Sequence, residues 1–428
     1  MKRIWKIIYY FWVNPGIIIG AHILALFYKK VRAGLFPRYV TIKRLRTWMD
    51  TTRPTGKRVL FHTASLGEFE HIRPVLEALK EDYNTVNIVT FFSPSGYKNV
   101  KAAAGLDFYF YLPFDYAYNW KKIYKIIDPS FIVIAKHDVW PGQIWTANEK
   151  FLPIYLINAS LSANSSRTKW GVKSFLKYVY RDFTEICSIS EDDAKRYSRH
   201  YPQSHVEIIG DTKYDQVLLR RRRVIGKELL PKQWTENHWI FMAGSIWPED
   251  EEHIFPALLK ILEEKESIRL VLVPHQPEQK SISRIEDLFK KWNVQLFSRR
   301  KHLHNGRVII VDTVGYLADL YHYAHAAYVG GSFHQGIHNV MEPAIFGIPV
   351  YYGPTHRNSY EAIQLTNDNG GTVIYNENDL YREINSIIKN ENKRRKLGEQ
   401  AEKFATKNVG ATKLLLERWG KFLADNSS

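Results

Sequence analysis

Residues 330–354 read GGSFHQGIHNVMEPAIFGIPVYYGP and decide the fold, because they contain a turn, a helix start and a strand in that order. The stretch begins with a glycine turn after the apolar run Ala326–Val329. His338–Asn339 then opens a segment of helical pattern carrying Glu342, and Ile348–Tyr352 supplies the next strand. A glycine turn at a helix N-terminus presents free backbone N–H groups. The stretch therefore predicts a βαβ unit that binds an anionic ligand.

The composition is that of a folded protein in a reducing compartment. The chain has 428 residues, 45% of them hydrophobic and 14% aromatic, which excludes a disordered chain and allows two domains. The single cysteine, Cys187, cannot form an intrachain disulfide. The histidines are scattered and no CxxC or HExxH pattern occurs, so we predict no metal site.

Positive charge is concentrated at the N-terminus. The net charge is +16, and residues 1–60 hold thirteen Lys and Arg against one acid, Asp50. These charges flank an uncharged stretch of 22 residues, Ile7–Tyr28, which could span a membrane, lie in its interface, or form a signal or buried helix. We expect attachment through this segment to an anionic membrane surface. Nucleic-acid binding is the weakest interpretation, because its charge would be interleaved along a folded face.

Short apolar runs alternate with helical patterns from Arg58 onward, which predicts buried parallel sheets in an α/β fold. The predicted strands of the first series are Val59–His62, Val86–Val89, Phe108–Leu112, Phe131–Ala135, Ile154–Ile157, Glu185–Ile189 and Val206–Ile209. Those of the second series are Trp239–Ala243, Arg269–Val273, Val308–Val311, Ala326–Val329, Ile348–Tyr352 and Thr372–Ile374.

Two such series predict two Rossmann-like domains facing a central cleft. We assign residues 1–57 to a membrane-associated segment, 58–218 to the first domain and 219–428 to the second. The interdomain connection is placed at Arg220–Arg223, and a basic helix face explains these arginines nearly as well. The helical tail, Glu377–Asp425, is expected to pack on the second domain or to cross back to the first.

The loop HTASLGEFEHIRP (62–74) follows a predicted strand and leads into a helix. Glu68 could be a general base that deprotonates an acceptor hydroxyl, or an ordinary acidic residue of the first helical turn. Ser65 and Gly67 would let a polar ligand approach the backbone closely. Further polar side chains expected at this edge are Ser95 and Gly96 in TFFSPSGYKNV (90–100) and Asp138 in AKHDVWPGQIW (135–145).

Polar residues also follow strands of the second series. Gly244–Ser245 ends one strand before an acidic helix start, and His275 comes after the next strand. Lys213, in GDTKYDQV (210–217), lies close to the expected interdomain connection. Lys213 and His275 are the natural counterions for a nucleotide phosphate or a sugar carboxylate.

Seven segments together resemble one known family. HTASLGE, NASLS, GDTKYD, GSIWPEDEE, VPHQP, DTVGYLADLY and the stretch at 330–354 occur in the order found in 3-deoxy-D-manno-octulosonic acid (Kdo) transferases. The resemblance covers residues 58–420 and implies a GT-B fold. It also implies inverting transfer of Kdo from CMP-Kdo to a lipid A precursor in Gram-negative lipopolysaccharide synthesis. The family acts at the inner membrane and uses neither a cofactor nor a divalent metal.

The resemblance assigns roles to individual positions. Glu68 resembles the family's catalytic base in its S-x-G-E loop. The acceptor-side residues it implies are Ser65, Gly67, Ser95, Gly96 and Asp138. The donor-side residues it implies are Lys213, Gly244, Ser245, His275, Gly331, Ser332, His338, Asn339 and Glu342.

Three positions depart from the family pattern. Lys136 stands where an acidic residue is usual, Ser160 replaces an arginine, and Ile337 replaces a glycine before His-Asn. These changes leave Glu68 and the His-Asn-x-x-Glu pattern intact. They are expected to alter acceptor preference or the number of sugars transferred.

Two other classes of function fit the same sequence. One is another GT-B glycosyltransferase or a nucleotide-sugar epimerase, which would bind UDP rather than CMP. The other is a catalytically silent, membrane-bound module that binds glycolipid. The intact Glu68 argues against the silent module.

Overall fold

The computed structural model describes residues 1–100, 103–302 and 306–424. The chain forms two compact units, and each contains a single sheet of seven strands. Within each sheet all neighbouring strands are parallel. This confirms the predicted α/β class with two Rossmann-like sheets.

The first unit comprises Met1–Gln216 together with the last helix, Ala411–Leu423. Its strands are β1 Arg58–Thr63, β2 Val86–Phe91, β3 Phe108–Tyr111, β4 Phe131–Ala135, β5 Ile154–Ala159, β6 Glu185–Ser188 and β7 Val206–Ile208. Its α-helices are Lys2–Ile8, Asn14–Phe27, Lys29–Leu35, Thr41–Thr52, Leu66–Tyr83, Pro94–Asn99, Ala117–Ile127, Pro141–Glu149, Trp170–Tyr180, Glu191–His200, the start of Thr212–Val224, and Ala411–Leu423.

The strand order of the first sheet, β3-β2-β1-β4-β5-β6-β7, reverses between β1 and β4. Helices that follow two such strands leave on opposite faces of the sheet, so a crevice opens outside the carboxyl ends of this pair. The loops that carry Glu68 and Asp138 follow β1 and β4. The topology therefore brings these two loops to one place.

Lys2–Phe27 is, among the described residues, the one helix long and apolar enough to cross a membrane, judged by length and composition. One face packs on the first unit: Lys2 pairs with Asp182, and the buried Tyr9 donates to Asp115 across 2.6 Å. Ala25, near the other end, is buried as well. The opposite face exposes the large apolar side chains of Ile4, Ile7, Phe11, Trp12, Ile19, Leu26 and Phe27.

The last helix packs on the first unit rather than on the second domain, to which residues 219–428 were assigned. The Trp419 ring is fully buried against Phe131 at 4.9 Å and Tyr155 at 5.5 Å. The Asp215 carboxylate accepts hydrogen bonds from the backbone N–H groups of Gly410 and Thr412 at the start of this helix. An amphipathic helix pattern shows that a helix needs an apolar partner, but it does not show which sheet supplies it.

The second unit comprises Val217–Asn408. Its strands are β8 Trp239–Ile246, β9 Ile268–Pro274, β10 Val294–Leu296, β11 Val308–Ile310, β12 Ala326–Val329, β13 Val350–Tyr352 and β14 Gly371–Val373. Its α-helices are the end of Thr212–Val224, Lys232–Thr235, Pro248–Glu264, Gln279–Phe289, Leu317–Leu320, Met341–Ala344, Tyr360–Asn367, Glu377–Lys389 and Glu391–Lys407.

The second sheet has the order β10-β11-β9-β8-β12-β13-β14 and reverses between β8 and β12. The loops that begin at Trp247 and Gly330 follow these two strands, so this crevice lies among the donor-side motifs. The sequence analysis missed β10, because this three-residue edge strand is only partly buried.

The four consecutive arginines lie inside one helix, Thr212–Val224, which passes from the first unit to the second. Arg220 pairs with Glu342 at 3.1 Å, and Arg221 pairs with Glu402. The helix-face interpretation of the arginines is therefore confirmed, and the boundary between the units lies four residues earlier in the same helix.

Candidate functional site

Glu68 occupies the first turn of the helix Leu66–Tyr83, directly after β1. Its Oε2 accepts the backbone N–H of Ala64 across 2.6 Å, and Ser65 caps the helix by accepting the N–H of Glu68 at 3.5 Å. Oε1 makes no hydrogen bond within the described part of the chain. Glu68 thus helps to close the first turn of the helix through one oxygen, while the other has no partner among the described residues.

A buried histidine joins the loops after β1 and β4. His62 is fully buried; its Nδ1 lies 2.9 Å from the Thr90 hydroxyl and its Nε2 lies 2.9 Å from Oδ2 of Asp138. Burial by itself would raise the pKa of Asp138, but the hydrogen bond and charge interaction with His62 outweigh it and lower the pKa. Asp138, predicted on the acceptor side, is therefore a carboxylate anchored beside the loop of Glu68.

Ser95 and Gly96 lie in the short helix after β2. Ser93 caps this helix by accepting the N–H of Ser95, and the two hydroxyls are 3.0 Å apart. A Cβ on Gly96 would come within 2.2 Å of the Phe91 ring, so packing explains this glycine. The same test at Gly67 finds only the Ser65 hydroxyl, at 4.0 Å, which leaves room for a ligand.

Lys213 belongs to the first unit, whereas the other predicted donor-side residues belong to the second. Its ammonium is 3.4 Å from the Asp211 carboxylate and lies over the ring of Tyr214.

Lys136, one of the positions that depart from the family pattern, follows β4 with a positive φ of 60°. Its backbone N–H donates to the carbonyl of Ile157. Ser160 stands where the family pattern has an arginine. A guanidinium is still present at this position, because Arg167 donates a hydrogen bond to the Ser160 carbonyl at 2.7 Å.

In the second unit the structure stacks three rings from three different motifs. Trp247 lies 4.2 Å from His275, and His275 lies 4.5 Å from His338 between ring centres. Burial lowers the pKa of His275, and burial together with His275 lowers the pKa of His338 to about 4. Both imidazoles are therefore neutral near pH 7 in this structure, and the role of His275 as a counterion stays a prediction.

A buried carboxylate, Asp250, ties two donor-side loops together. It accepts hydrogen bonds from the backbone N–H of Trp247 at 2.8 Å, the N–H of Gly331 at 2.7 Å and the hydroxyl of Tyr328 at 2.7 Å. Burial raises its pKa, and these hydrogen bonds oppose that effect. Asp250 therefore holds the loops after β8 and β12 in a fixed relation.

Three of the predicted donor-side residues have a structural reason of their own. Ser332 is fully buried, accepts the N–H of Gly353 at 2.6 Å and donates to Val329. Gly244 packs where a Cβ would lie 2.1 Å from the Tyr321 hydroxyl. Gly331 has a φ of 86°, a conformation that favours glycine. Ser245 also has a positive φ, 55°, but remains partly exposed.

The helix expected to open at His338–Asn339 is a single turn, Met341–Ala344. Asn339 is exposed and its side-chain oxygen accepts the N–H of Met341 at 3.1 Å, while Glu342 pairs with Arg220. One turn carries little dipole, so the expected helix contributes little here, and anion binding by this loop stays a prediction. Ile337, which stands where the family pattern has a glycine, has a buried side chain.

The sequence analysis missed the residues that position these loops. Trp247 and Asp250 stand in the quoted motif GSIWPEDEE, where the Asp at the third helical position was the available signal. Arg38 donates to the carbonyls of Phe92 and Leu112 at 2.6 and 2.7 Å, and burial lowers its pKa to about 10. Among the described residues no group of three His, Cys, Asp or Glu could hold a metal ion.

Comparison with known proteins relates this chain to one family of enzymes. Residues 35–216 match the family model described as 3-Deoxy-D-manno-octulosonic-acid transferase (kdotransferase). A 3-deoxy-D-manno-octulosonic acid transferase of Haemophilus influenzae is 28% identical over 405 residues, covering 91% of this chain and 93% of that protein. One from Aquifex aeolicus is 27% identical, covering 76% and 85%. Residues 35–216 thus match the Kdo transferase domain, and the chain is similar to Kdo transferases over most of its length.

These matches confirm the resemblance drawn from the motifs, and the protein is a glycosyltransferase. Among solved structures, the UDP-GlcNAc 2-epimerase of Neisseria meningitidis superposes with a TM-score of 0.60 at 14% identity, covering 85% of this chain and 100% of that chain. The epimerase of Rickettsia bellii gives 0.50 at 12% identity, covering 86% and 97%. At these identities the likeness concerns the fold alone, and it confirms the predicted GT-B type of fold.

Proposed function

We propose that this protein transfers Kdo from CMP-Kdo to a lipid A precursor at the cytoplasmic face of the inner membrane, without a metal ion. The observation that carries the proposal is the position of Glu68. It lies at the carboxyl end of β1, beside the switch point with β4, and one carboxylate oxygen is free of hydrogen bonds within the described part of the chain. The curated relatives from Haemophilus influenzae and Aquifex aeolicus are Kdo transferases.

In this proposal Glu68 accepts the proton of the acceptor hydroxyl. The oxygen then forms a bond to the anomeric carbon of Kdo, the bond from that carbon to the phosphate breaks, and CMP leaves with the electron pair. The N–H of Ala64 keeps the carboxylate oriented through Oε2. Asp138, held by His62, stands ready to bind acceptor hydroxyls.

The second unit would bind the donor. Backbone groups after β8 and β12 are fixed by Asp250, and neutral imidazoles of His275 and His338 can donate hydrogen bonds to a phosphate without a bound cation. A rate of transfer that is unchanged in excess chelator is the result expected for metal-independent chemistry. Lys213 remains a donor-side proposal from the GDTKYD motif.

An apolar cavity of about 290 Å³ supports a glycolipid acceptor. It lies in the first unit between the N-terminal helices and the loops after β2 and β3, with Ile17, Leu35 and Phe114 among its walls. Lys30 and Arg38 line the same cavity. An acyl chain with a phosphorylated headgroup matches such a combination of apolar walls and positive charge.

The N-terminal helix supports attachment in the membrane interface rather than a span. Its buried face contacts the first unit from Lys2 to Ala25, so the helix cannot leave that surface to cross a bilayer without losing these contacts. The exposed apolar side chains of its other face would enter the lipid. Exposed basic residues of this segment, among them Lys29, Lys30 and Lys43, would face anionic headgroups.

The test is a transfer assay with purified full-length protein, CMP-Kdo and a tetra-acylated lipid A precursor. Glu68→Gln is expected to reduce the rate by about 10²–10⁴-fold while CMP affinity stays the same. Glu81→Gln, an exposed acid on the same helix, serves as the matched control and should retain the wild-type rate. A Glu68→Gln protein with full activity, or one that loses CMP binding, contradicts the proposed base.

A further inference from the structure

A second cavity in the first unit has the character of an anion site. It measures about 470 Å³ and lies at the C-terminal ends of the helices Trp170–Tyr180 and Glu191–His200. Helices that run back between parallel strands end at the amino edge of the sheet. The cavity therefore lies at the edge opposite to the loops of Glu68 and Asp138, and the function proposed above does not use it.

Positive charge converges on this cavity. Lys173, Lys177 and Arg181 follow each other at intervals of four residues along one helix face, and Arg199 comes from the second helix. Lys173, Lys177 and Arg199 form no ion pair within the described residues, and no acidic residue lines the cavity there. Arg181 shares Asp182, at 3.6 Å, with Lys2. Basic residues suit helix C-termini, but four of them around one cavity repel one another unless an anion is bound.

Two polar atoms in the cavity wall have no partner. His200 Nδ1 and Ser204 Oγ are buried and make no hydrogen bond within the described part of the chain. Buried polar groups in proteins are almost always satisfied, so each such atom requires an explanation. The oxygens of a phosphate group could accept hydrogen bonds from both. Helix dipoles account for the nearby cations but not for these two atoms.

The cavity opens beside the start of the N-terminal helix. Met1 lines it, and the Trp5 ring contacts Phe175, on the same helix as the lysines, at 5.4 Å between centres. Met1, Ile4 and Ile7 are 80%, 58% and 56% exposed. The mouth of the cavity is thus next to the apolar face that would lie in lipid.

We propose that this cavity binds the phosphate group of an anionic membrane lipid, whose acyl chains extend along the exposed face of the N-terminal helix. Together with the apolar side chains, this site fixes the orientation of the first unit on the membrane. The proposal requires the membrane attachment described above but is independent of Kdo transfer. A failure in the transfer assay would therefore leave it standing.

The test measures binding of the full-length protein to vesicles of phosphatidylcholine with and without phosphatidylglycerol. Ser204→Asp places a negative charge inside the cavity and is expected to weaken binding to the anionic vesicles by about tenfold or more. Ser198→Asp makes the same charge change on the exposed surface of the neighbouring helix, outside the cavity lining. It should bind like the wild type.

Calorimetry with inorganic phosphate distinguishes the two sources of the anion. Weak phosphate binding that Ser204→Asp removes, together with the vesicle result, supports the lipid headgroup. Phosphate binding combined with vesicle binding that is insensitive to Ser204→Asp would overturn the proposal in favour of a soluble anion. Equal weakening by both serine variants would overturn it in favour of general surface charge.

A second pair of variants covers the case in which Ser204→Asp does not fold. Lys173→Gln with Lys177→Gln removes two charges from the cavity. Lys396→Gln with Lys403→Gln removes two exposed charges from a helix of the second unit. Only the first pair should reduce binding to anionic vesicles, and equal effects of the two pairs would contradict the site.

Discussion

Trp247 donates its indole N–H to Nε2 of His338 across 2.8 Å, and this hydrogen bond fixes the tautomer of the imidazole. Because Nε2 accepts, the proton of the neutral ring is on Nδ1. Burial and the neighbouring His275 also keep the pKa of His338 at about 4. The second unit therefore presents a neutral histidine in the stretch for which the sequence predicted an anionic ligand.

Acidification is expected to destabilise the protein through His338. The pKa of His338 is about 4 in the folded protein against an ordinary 6.5, so between these values the unfolded chain takes up a proton that the folded chain does not. This contribution is absent above pH 6.5 and grows as the pH falls towards 4. The unfolding temperature of His338→Gln should therefore depend less on pH in this interval than that of the wild type. His322→Gln, at an exposed histidine, is the control; an unchanged slope in His338→Gln would refute the neutral assignment.

Asp250→Asn is expected to lower the free energy of unfolding by about 1–3 kcal/mol. The carboxylate accepts both backbone N–H groups at Oδ2 and the Tyr328 hydroxyl at Oδ1. An amide that keeps its oxygen at the two N–H groups turns its NH₂ group towards Tyr328, so the negative charge is lost and the hydroxyl must become an acceptor. Denaturant unfolding measures the change, with Glu252→Gln, exposed on the same helix, as the control. Equal stability of the two variants would show that Asp250 does not hold the loops.

The two glycines predicted on the acceptor side should respond differently to substitution. Gly96→Ala brings a Cβ within 2.2 Å of the Phe91 ring and is expected to cost about 1–3 kcal/mol of stability. Gly67→Ala has open space and should leave stability near that of the wild type. Thermal unfolding compares them. If Gly67→Ala proves the more damaging to the fold, the packing explanation for Gly96 is wrong.

The exposed face of the N-terminal helix should control membrane binding separately from folding. Phe11→Glu with Trp12→Glu alters side chains that are 72% and 75% exposed and should release the protein from membranes without unfolding it. Tyr9→Ala should instead destabilise the fold, because Tyr9 is buried and bonded to Asp115. Fractionation and circular dichroism separate the two effects. Retention of the double variant on membranes would place the attachment elsewhere.

Much of the fold could be predicted from sequence because buried parallel strands are nearly continuous apolar runs. Phe131–Ala135 and Ala326–Val329 have the predicted bounds, since each is fully buried and ends in a polar or glycine loop. The edge strand Val294–Leu296 was missed because partial exposure weakens that pattern. The destination of the last helix was not predictable either, because its apolar stripe fits any complementary sheet face.

From the sequence, the polar loops of the site could be predicted only because they follow recognisable strands. Polar residues after β1, β4, β8 and β12 were identified because they end apolar runs, and the topology then gathers them at the two switch points. The sequence does not show which of these side chains the fold itself uses. The Ser332 hydroxyl forms hydrogen bonds within the fold, and neighbouring side chains fill the space beside Gly244. Asp250, which looked like a plain helix cap, joins two loops.

The most direct test of the central claim is the product of the reaction itself. Purified wild-type protein is incubated with CMP-Kdo generated in situ and a tetra-acylated lipid A precursor, and the lipid is analysed by mass spectrometry. The account predicts a product heavier by one or more Kdo residues, with CMP released in equal amount and no reaction when a UDP-sugar replaces CMP-Kdo. An unchanged lipid and no CMP release from demonstrably folded protein would contradict it.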